Sequence, residues 1–202
     1  KLAVPASVAY VLMATESAIV NALLARGASP TESIAAYSIY YRYLMFFLMP
    51  MVACGVALLP FVARAWGSRD IATIRGAVRD VGLAGTAYAL LVVAPLVVLL
   101  RGPLVARFAT APLTRELTEW CLIVVPVACV VAIPFFACRP VFEGLQRGTP
   151  GLLVALLRYA VLTGPVAWLG ARLASQAGVP ELHGVVAALV AVTALVSLVF
   201  LT

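Results

Sequence analysis

Six long apolar runs constrain the fold of this chain more than any other feature of its sequence. The runs cover approximately residues 2–25, 33–63, 82–100, 120–138, 151–173 and 184–201. A helix needs about 20 apolar residues to cross a bilayer, and in hydrocarbon only helices and closed barrels satisfy the backbone. The alternating segments of about ten residues that build a barrel are absent. The pattern predicts an all-α membrane protein, with six transmembrane helices in one bundle over residues 1–202.

The composition excludes a water-soluble domain. Hydrophobic residues make up 64% of the chain and charged residues only 11%, against about 45–50% and about 25% in an average soluble domain. The surface of the bundle must therefore contact lipid, and we expect the bilayer as a partner. The net charge of +6 does not indicate a nucleic-acid partner, because most basic residues lie between the runs, where membrane topology explains them.

The distribution of Lys and Arg predicts the orientation of the bundle. Seven basic residues fall on one side and five on the other, and two more lie inside the runs. The more basic side faces the cytoplasm, so both termini of a six-span bundle are expected there. We therefore expect a multi-pass protein of the cell (inner) membrane. The seven are Lys1, Arg64, Arg69, Arg75, Arg79, Arg139 and Arg147, and the five are Arg26, Arg101, Arg107, Arg115 and Arg172.

The sequence contains no motif of an enzyme or of a metal site. HExxH, GxSxG and Walker A motifs are absent, and no aspartate lies within a run. The four cysteines lie in or at the edge of apolar runs without a CxxC spacing, and the one histidine, His183, is placed in a loop. Cysteines in such surroundings are small buried hydrophobic residues. We expect no catalytic activity, no metal and no cofactor.

Glu16 is the most informative ionisable residue of the apolar runs. It lies near the middle of the first run, roughly 4 Å from the midplane of the bilayer at about 1.5 Å per residue. Acids at this depth are functional candidates by default, and burial disfavours the carboxylate, so a proton can neutralise it. Glu16 is a candidate ion carrier, with an inert structural acid paired to a cation as the alternative.

Asn21 is a second polar candidate in the same run. It lies five positions after Glu16, about 140° around the helix. The two side chains therefore do not share a face, and we expect Asn21 to form a hydrogen bond across helices.

Arg42 and Tyr41 are the candidates in the second run. Arg42 lies nine residues after Ser33, and Glu16 lies nine residues before Ala25, so on antiparallel helices they share a depth. We expect a Glu16–Arg42 ion pair in at least one transport state, which would oppose a carrier role for Glu16.

Tyr41 shares a face with Tyr37 and can stack on a cationic or aromatic substrate. Anchoring at the membrane interface is the alternative for Tyr37 and Tyr40, and Arg158 in the fifth run can snorkel.

Four stretches of the sequence resemble the multidrug and toxic compound extrusion (MATE) family of transporters. An early proline, Pro5, precedes Glu16, and the second run opens with a small-residue stretch within Ser33–Arg42. That run ends in a turn at Leu59–Asp70, and a further junction extends over Phe142–Pro150 before Gly164-Pro165. The resemblance covers most of the chain.

The resemblance implies that the six helices are one lobe of a twelve-helix transporter. An acid on the first helix favours the carboxy-terminal lobe, although the fourth run lacks the second acid that such lobes often carry. We expect a second lobe from the same longer chain, with a dimer partner as the alternative. The implied function is export of organic, cationic or amphiphilic small molecules, driven by a proton or sodium gradient.

Two other functions remain open at this stage. A flippase for lipid-linked saccharides belongs to the same superfamily and would use arginines to hold a pyrophosphate, with Arg42 and Arg158 as candidates. A membrane scaffold without transport activity would instead have fully paired polar groups and no central cleft.

Overall fold

The computed structural model describes residues 3–146 and 148–199, and in this part the chain forms six long helices. Lys1, Leu2, Arg147 and residues 200–202, which include the end of the sixth run, lie outside the described residues, as do the side chains of residues 3–7, 9 and 10. The prediction of an all-α bundle is confirmed. The helices are α1, Ala3–Leu24; α2, Pro30–Gly67; α3, Ile71–Phe108; α4, Pro112–Gly144; α5, Gly148–Gln176; and α6, Glu181–Val199.

The helices have the length and composition of membrane spans. Five of the described helices, α2 to α6, are long and apolar enough to cross a bilayer, and α1 contains the shorter apolar segment Val11–Leu24. Large apolar side chains such as Leu91 and Leu99 are about three-quarters exposed on the outside of the bundle. Lipid solvates such a surface, whereas water would not.

The third helix is longer than the apolar run that predicts it. The sequence indicates an interfacial stretch over 71–81 and a loop over 101–119, but α3 is continuous from Ile71 to Phe108 and only residues 109–111 separate it from α4. In the first part of α3 the Arg75 and Arg79 side chains are exposed, while Ile74 packs inward. Charged residues on the outer face of a helix end are compatible with helix continuation, so they do not mark a boundary here.

The turn before α3 is held by local hydrogen bonds. Asp70 is the N-cap, and its carboxylate accepts bonds from the Thr73 backbone N–H at 3.0 Å and the Thr73 hydroxyl at 2.5 Å. These bonds to the charged form hold the pKa of Asp70 below its usual range. The preceding residue, Arg69, has a left-handed backbone with φ of 58°, and Gln146 in the turn before α5 has φ of 59°.

Helices α5 and α6 cross at a pair of glycines. A Cβ atom on Gly170 would collide with the backbone of Gly184, and a Cβ on Gly184 would collide with the backbone of Gly170. Ala174 and Ala188 flank the crossing at the same spacing of four residues. Small residues at this spacing let helix backbones approach closely in a membrane, and here they fix α5 against α6.

In the described part of the chain, two helices contain π-helical segments, in which the hydrogen bond reaches back five residues. They are Ala89–Val93 in α3 and Leu157–Leu162 in α5. The Ala94 N–H bonds to the Ala89 carbonyl, and the Thr163 N–H bonds to the Arg158 carbonyl. Such segments are frequent at functional sites, and the second one positions residues of the candidate site.

Candidate functional site

Glu16 faces a cavity inside the bundle. Its side chain is 9% exposed, and the cavity has a volume of about 40 Å³. A single water molecule needs about 10–15 Å³ of such cavity volume. The space therefore holds a few waters or one small ion. The lining residues with polar or aromatic side chains are Glu16, Tyr37, Tyr40, Tyr41, Phe136, Arg158, Tyr159 and Thr193.

Arg158, and not Arg42, is the cation beside Glu16. Arg158 lines the same cavity and interacts electrostatically with Glu16. Arg42 is exposed, and the Glu16–Arg42 ion pair expected from the sequence is absent from this conformation of the described residues. Equal depth fixes the height of two side chains but not their angle around the helix, and Arg42 is about 100° away from Tyr41 on α2.

The Arg158 guanidinium is enclosed by aromatic rings. Its central carbon lies 4.8 Å from the centre of the Phe135 ring on α4 and 4.6 Å from the centre of the Tyr159 ring. Cation–π contacts of this kind stabilise a charge that has left water. The side chain is 9% exposed, so it is held in the bundle and does not snorkel as the sequence suggested.

Thr163 connects the acid and the arginine. Its hydroxyl donates to the Arg158 carbonyl at 2.8 Å and lies 3.5 Å from Oε1 of Glu16. A hydroxyl has one hydrogen, so the shorter bond to the carbonyl uses it and the contact with Glu16 is weak. Among the described residues, the Glu16 carboxylate therefore has no strong side-chain hydrogen-bond donor.

The tyrosines of α2 form an aromatic wall of the cavity. The Tyr37 ring centre lies 6.0 Å from that of Tyr41 and 6.1 Å from that of Tyr40. Tyr37 and Tyr40 are 1% and 2% exposed, so they are core residues and not anchors at a membrane surface. Tyr41 is only partly buried and lines the cavity with Glu16.

Asn21 lies away from this cavity. Its Oδ1 atom is buried without a hydrogen-bond partner among the described residues. This atom therefore does not form the interhelical hydrogen bond that the sequence predicts for Asn21. Asn21 does not line the Glu16 cavity, and the geometry gives it no part in a shared site.

A second cavity of about 180 Å³ meets the first one. The two share four lining residues, Met13, Met45, Leu48 and Phe136. The second cavity extends to Leu59, Arg139 and Glu143 at the other end of α2 and α4. Arg139 Nε and Glu143 Oε1 are 3.3 Å apart, an ion pair within one helix turn. The polar interior and its cavities do not match a scaffold with fully paired polar groups.

The sequence did not single out Thr163, and it named Arg158 as a site residue only for the flippase alternative, not as the partner of Glu16. Both lie in the stretch Leu157–Thr163 before Gly164-Pro165, and an arginine within an apolar run was the available signal. Its assignment to snorkelling failed because the π-helical segment and the rings of Phe135 and Tyr159 keep the side chain inside the bundle.

Comparison with known proteins gives a consistent result. A family model described as MatE matches residues 5–169. A solved structure described as the outward-facing conformation of a multidrug resistance MATE family transporter of the MOP superfamily is similar, with a TM-score of 0.88 at 19% identity. The match covers 98% of this chain and 43% of that chain. A search of curated proteins gave no match.

Two further solved structures have the same relation to this chain. One is a MOP superfamily transporter from Pyrococcus furiosus, with a TM-score of 0.86 at 17% identity, covering 98% of this chain and 43% of that one. The other is a Vibrio cholerae MATE transporter in its bent form, with a TM-score of 0.85 at 21% identity and the same coverage. The chain thus spans less than half the length of the transporters that it resembles.

Proposed function

Because the chain belongs to the MATE family, we propose that it is the carboxy-terminal lobe of a cation-coupled exporter of organic small molecules. Glu16 is the ion-coupling residue in this proposal. The observation that carries it is a single buried carboxyl group in a small internal cavity, next to an arginine and without a strong hydrogen-bond donor. An acid in a low-dielectric site is expensive to keep ionised, so binding and release of a cation there changes the energy of the lobe.

The substrate class follows from the aromatic wall of the cavity. Tyr41 is the partly buried member and can contact a bound molecule, while Tyr37 and Tyr40 support it from the core. Tyrosine faces attract cations and aromatic rings, so organic cations and amphiphilic aromatic compounds are the proposed cargo. The cavity of about 40 Å³ is too small for a whole molecule of that kind. The cargo is therefore proposed to bind between this lobe and a second one, which we expect in the same longer chain.

The test is a Glu16→Gln substitution in the full-length transporter, reconstituted in proteoliposomes. Efflux of a fluorescent organic cation is measured under an imposed proton gradient and, separately, under a sodium gradient. We expect the variant to lose roughly tenfold or more of the gradient-driven rate, the scale of a coupling free energy of ~1–3 kcal/mol. The gradient that supports the unsubstituted protein identifies the coupling ion.

Glu116→Gln is the matched control, because Glu116 is exposed on α4 and lies outside the Glu16 cavity. It is expected to transport normally. Unchanged transport by the Glu16→Gln variant under both gradients would remove Glu16 from the mechanism.

A flippase for lipid-linked saccharides is the alternative within this architecture. The buried Arg158 favours it, since a pyrophosphate needs cationic partners, but Arg42 does not line the cavity and supplies no second one. Transbilayer movement of a lipid-linked oligosaccharide, assayed in the same proteoliposomes, separates the two functions. Lipid movement without efflux of organic cations would favour the flippase.

A further inference from the structure

The buried guanidinium of Arg158 has donors without acceptors. Its Nε and Nη1 atoms are buried and have no hydrogen-bond partner among the described residues, although the side chain is 9% exposed and lines the Glu16 cavity. The rings of Phe135 and Tyr159 stabilise the charge but do not accept these N–H groups as a carbonyl or an anion would. Leaving charged donors buried and unpaired is energetically costly, so these atoms indicate a ligand.

We propose that Arg158 forms an anion-binding subsite in the Glu16 cavity, which takes one small monovalent anion when Glu16 is protonated. The ligand is a halide such as chloride or a single carboxylate group. The cavity, with a volume of about 40 Å³, has room for one such group. This inference rests on Glu16 as the protonation site in the proposed function.

Protonation and anion binding are linked through charge. Glu16 and Arg158 line one cavity and interact electrostatically, yet no ion pair joins them within 4.0 Å in the described chain. An ionised Glu16 balances Arg158 across the cavity and repels an anion. A protonated Glu16 leaves the guanidinium as an uncompensated charge in a low-dielectric site, where attraction to an anion is strong. By thermodynamic reciprocity the anion also increases the proton affinity of Glu16.

The other groups around Glu16 do not replace it in this linkage. They are weak acids or neutral hydroxyl groups, so near neutral pH they carry no charge that could balance Arg158. Among the described lining residues Glu16 is the one carboxylic acid. The groups are Tyr37, Tyr40 and Tyr41 from α2, Tyr159 and Thr163 from α5, and Thr193 from α6, together with Cys121 and Cys129 of α4, which interact with Tyr40.

The test is an isothermal calorimetric titration of the purified full-length transporter with chloride, in a buffer whose only other anion is a large sulfonate. It is carried out at mildly acidic and at mildly alkaline pH, and a second series uses acetate to separate halide from carboxylate binding. We expect saturable binding that is roughly tenfold or more tighter at acidic pH, within the usual range of coupling between two ligands. Proton uptake on anion addition in weakly buffered solution is a second expected result.

Four variants make the assignment specific. Arg158→Gln is expected to abolish binding, and Arg158→Lys, which keeps the charge, to retain weaker binding with the same pH dependence. Glu16→Gln is expected to bind the anion equally at both pH values. Arg172→Gln is the matched control, because the Arg172 guanidinium contacts the Trp168 ring at 5.4 Å outside this cavity, and it should bind as the unsubstituted protein does.

The outcomes separate this inference from the proposed function. Absence of saturable binding at acidic pH, or binding that is independent of pH and survives Arg158→Gln, overturns the anion subsite. If Glu16→Gln abolishes efflux while no anion binds, only the anion subsite is rejected. If an anion binds as expected while Glu16→Gln transports normally, the coupling role of Glu16 is rejected and the subsite stands.

Discussion

Helices α3 and α5 share a backbone feature and differ in what surrounds it. Each has a π-helical segment shortly before a proline, Ala89–Val93 before Pro95 and Leu157–Leu162 before Pro165. Proline lacks an N–H and disturbs the regular helix ladder, and a π-helical turn is one local adjustment that membrane helices tolerate. The two helices therefore share a similar local distortion.

The two segments have different neighbours. In α3 the segment exposes Leu90 and Leu91 on the outside of the bundle, with exposed fractions of 56% and 75%. In α5 the segment buries Arg158 and Tyr159 against α4 and beside Glu16 of α1. Both π-helical segments distort their helix locally. Only the segment of α5 forms part of a polar site, because polar residues of other helices pack against it.

The largest expected effect concerns how closely α3 and α5 pack against their neighbours, which a Gly→Ala substitution in each helix measures. We expect Gly170→Ala to destabilise the protein by about 2 kcal/mol, because its Cβ would collide with the Gly184 backbone and force α5 away from α6. Gly82→Ala in α3 has open space at its Cβ and is expected to stabilise by up to about 1 kcal/mol through helix propensity.

Unfolding of the two purified variants in detergent measures both effects. A stability loss of equal size for Gly82→Ala and Gly170→Ala would mean that α3 packs as tightly as α5, which would break the comparison.

The threonines near the two segments give a smaller effect. Thr163→Val removes the buried hydroxyl that donates to the Arg158 carbonyl at 2.8 Å, and we expect a loss of about 1–2 kcal/mol. Thr86→Val removes a comparable bond to the Gly82 carbonyl at 2.9 Å, but Thr86 is only partly buried. The expected change there is under about 0.5 kcal/mol. Chemical denaturation of both variants checks the difference, and equal losses would show that the surroundings of Thr163 add nothing.

The turns before the two helices give the smallest effect and should behave alike. Arg69 precedes α3 and Gln146 precedes α5, and both have left-handed backbones. Glycine adopts this conformation without the steric cost of a Cβ, so each substitution to Gly is expected to stabilise by about 0.5–1 kcal/mol.

Ser68→Gly is the control for these turns, because Ser68 has φ of −87° and its hydroxyl bonds to the Ala65 carbonyl at 3.0 Å. It should destabilise slightly. Thermal unfolding of the three variants measures the signs, and destabilisation by Arg69→Gly would show that its side chain matters more than its backbone strain.

The sequence by itself determined the membrane setting, the helical class and the number of long helices in the bundle. Those features depend on the length and polarity of the apolar runs, which lipid and backbone hydrogen bonding translate directly into helices. It also isolated Glu16, because an acid within an apolar run is conspicuous whatever the packing. The continuation of α3 over 71–108 was not predicted, since exposed Arg75 and Arg79 resemble a loop when the outer face of the helix is unknown.

Only the tertiary structure decided which cation lies beside Glu16. Arg42 and Arg158 both stand within apolar runs, and depth alone favoured Arg42 on the neighbouring helix. The rotation of α2 turns Tyr37, Tyr40 and Tyr41 inward and leaves Arg42 exposed. The π-helical segment of α5 and the ring of Phe135 bring Arg158 to the cavity from 142 residues away in the chain. Side-chain direction around a helix axis depends on packing between helices, so a sequence pattern fixes the depth of a residue but not its partner.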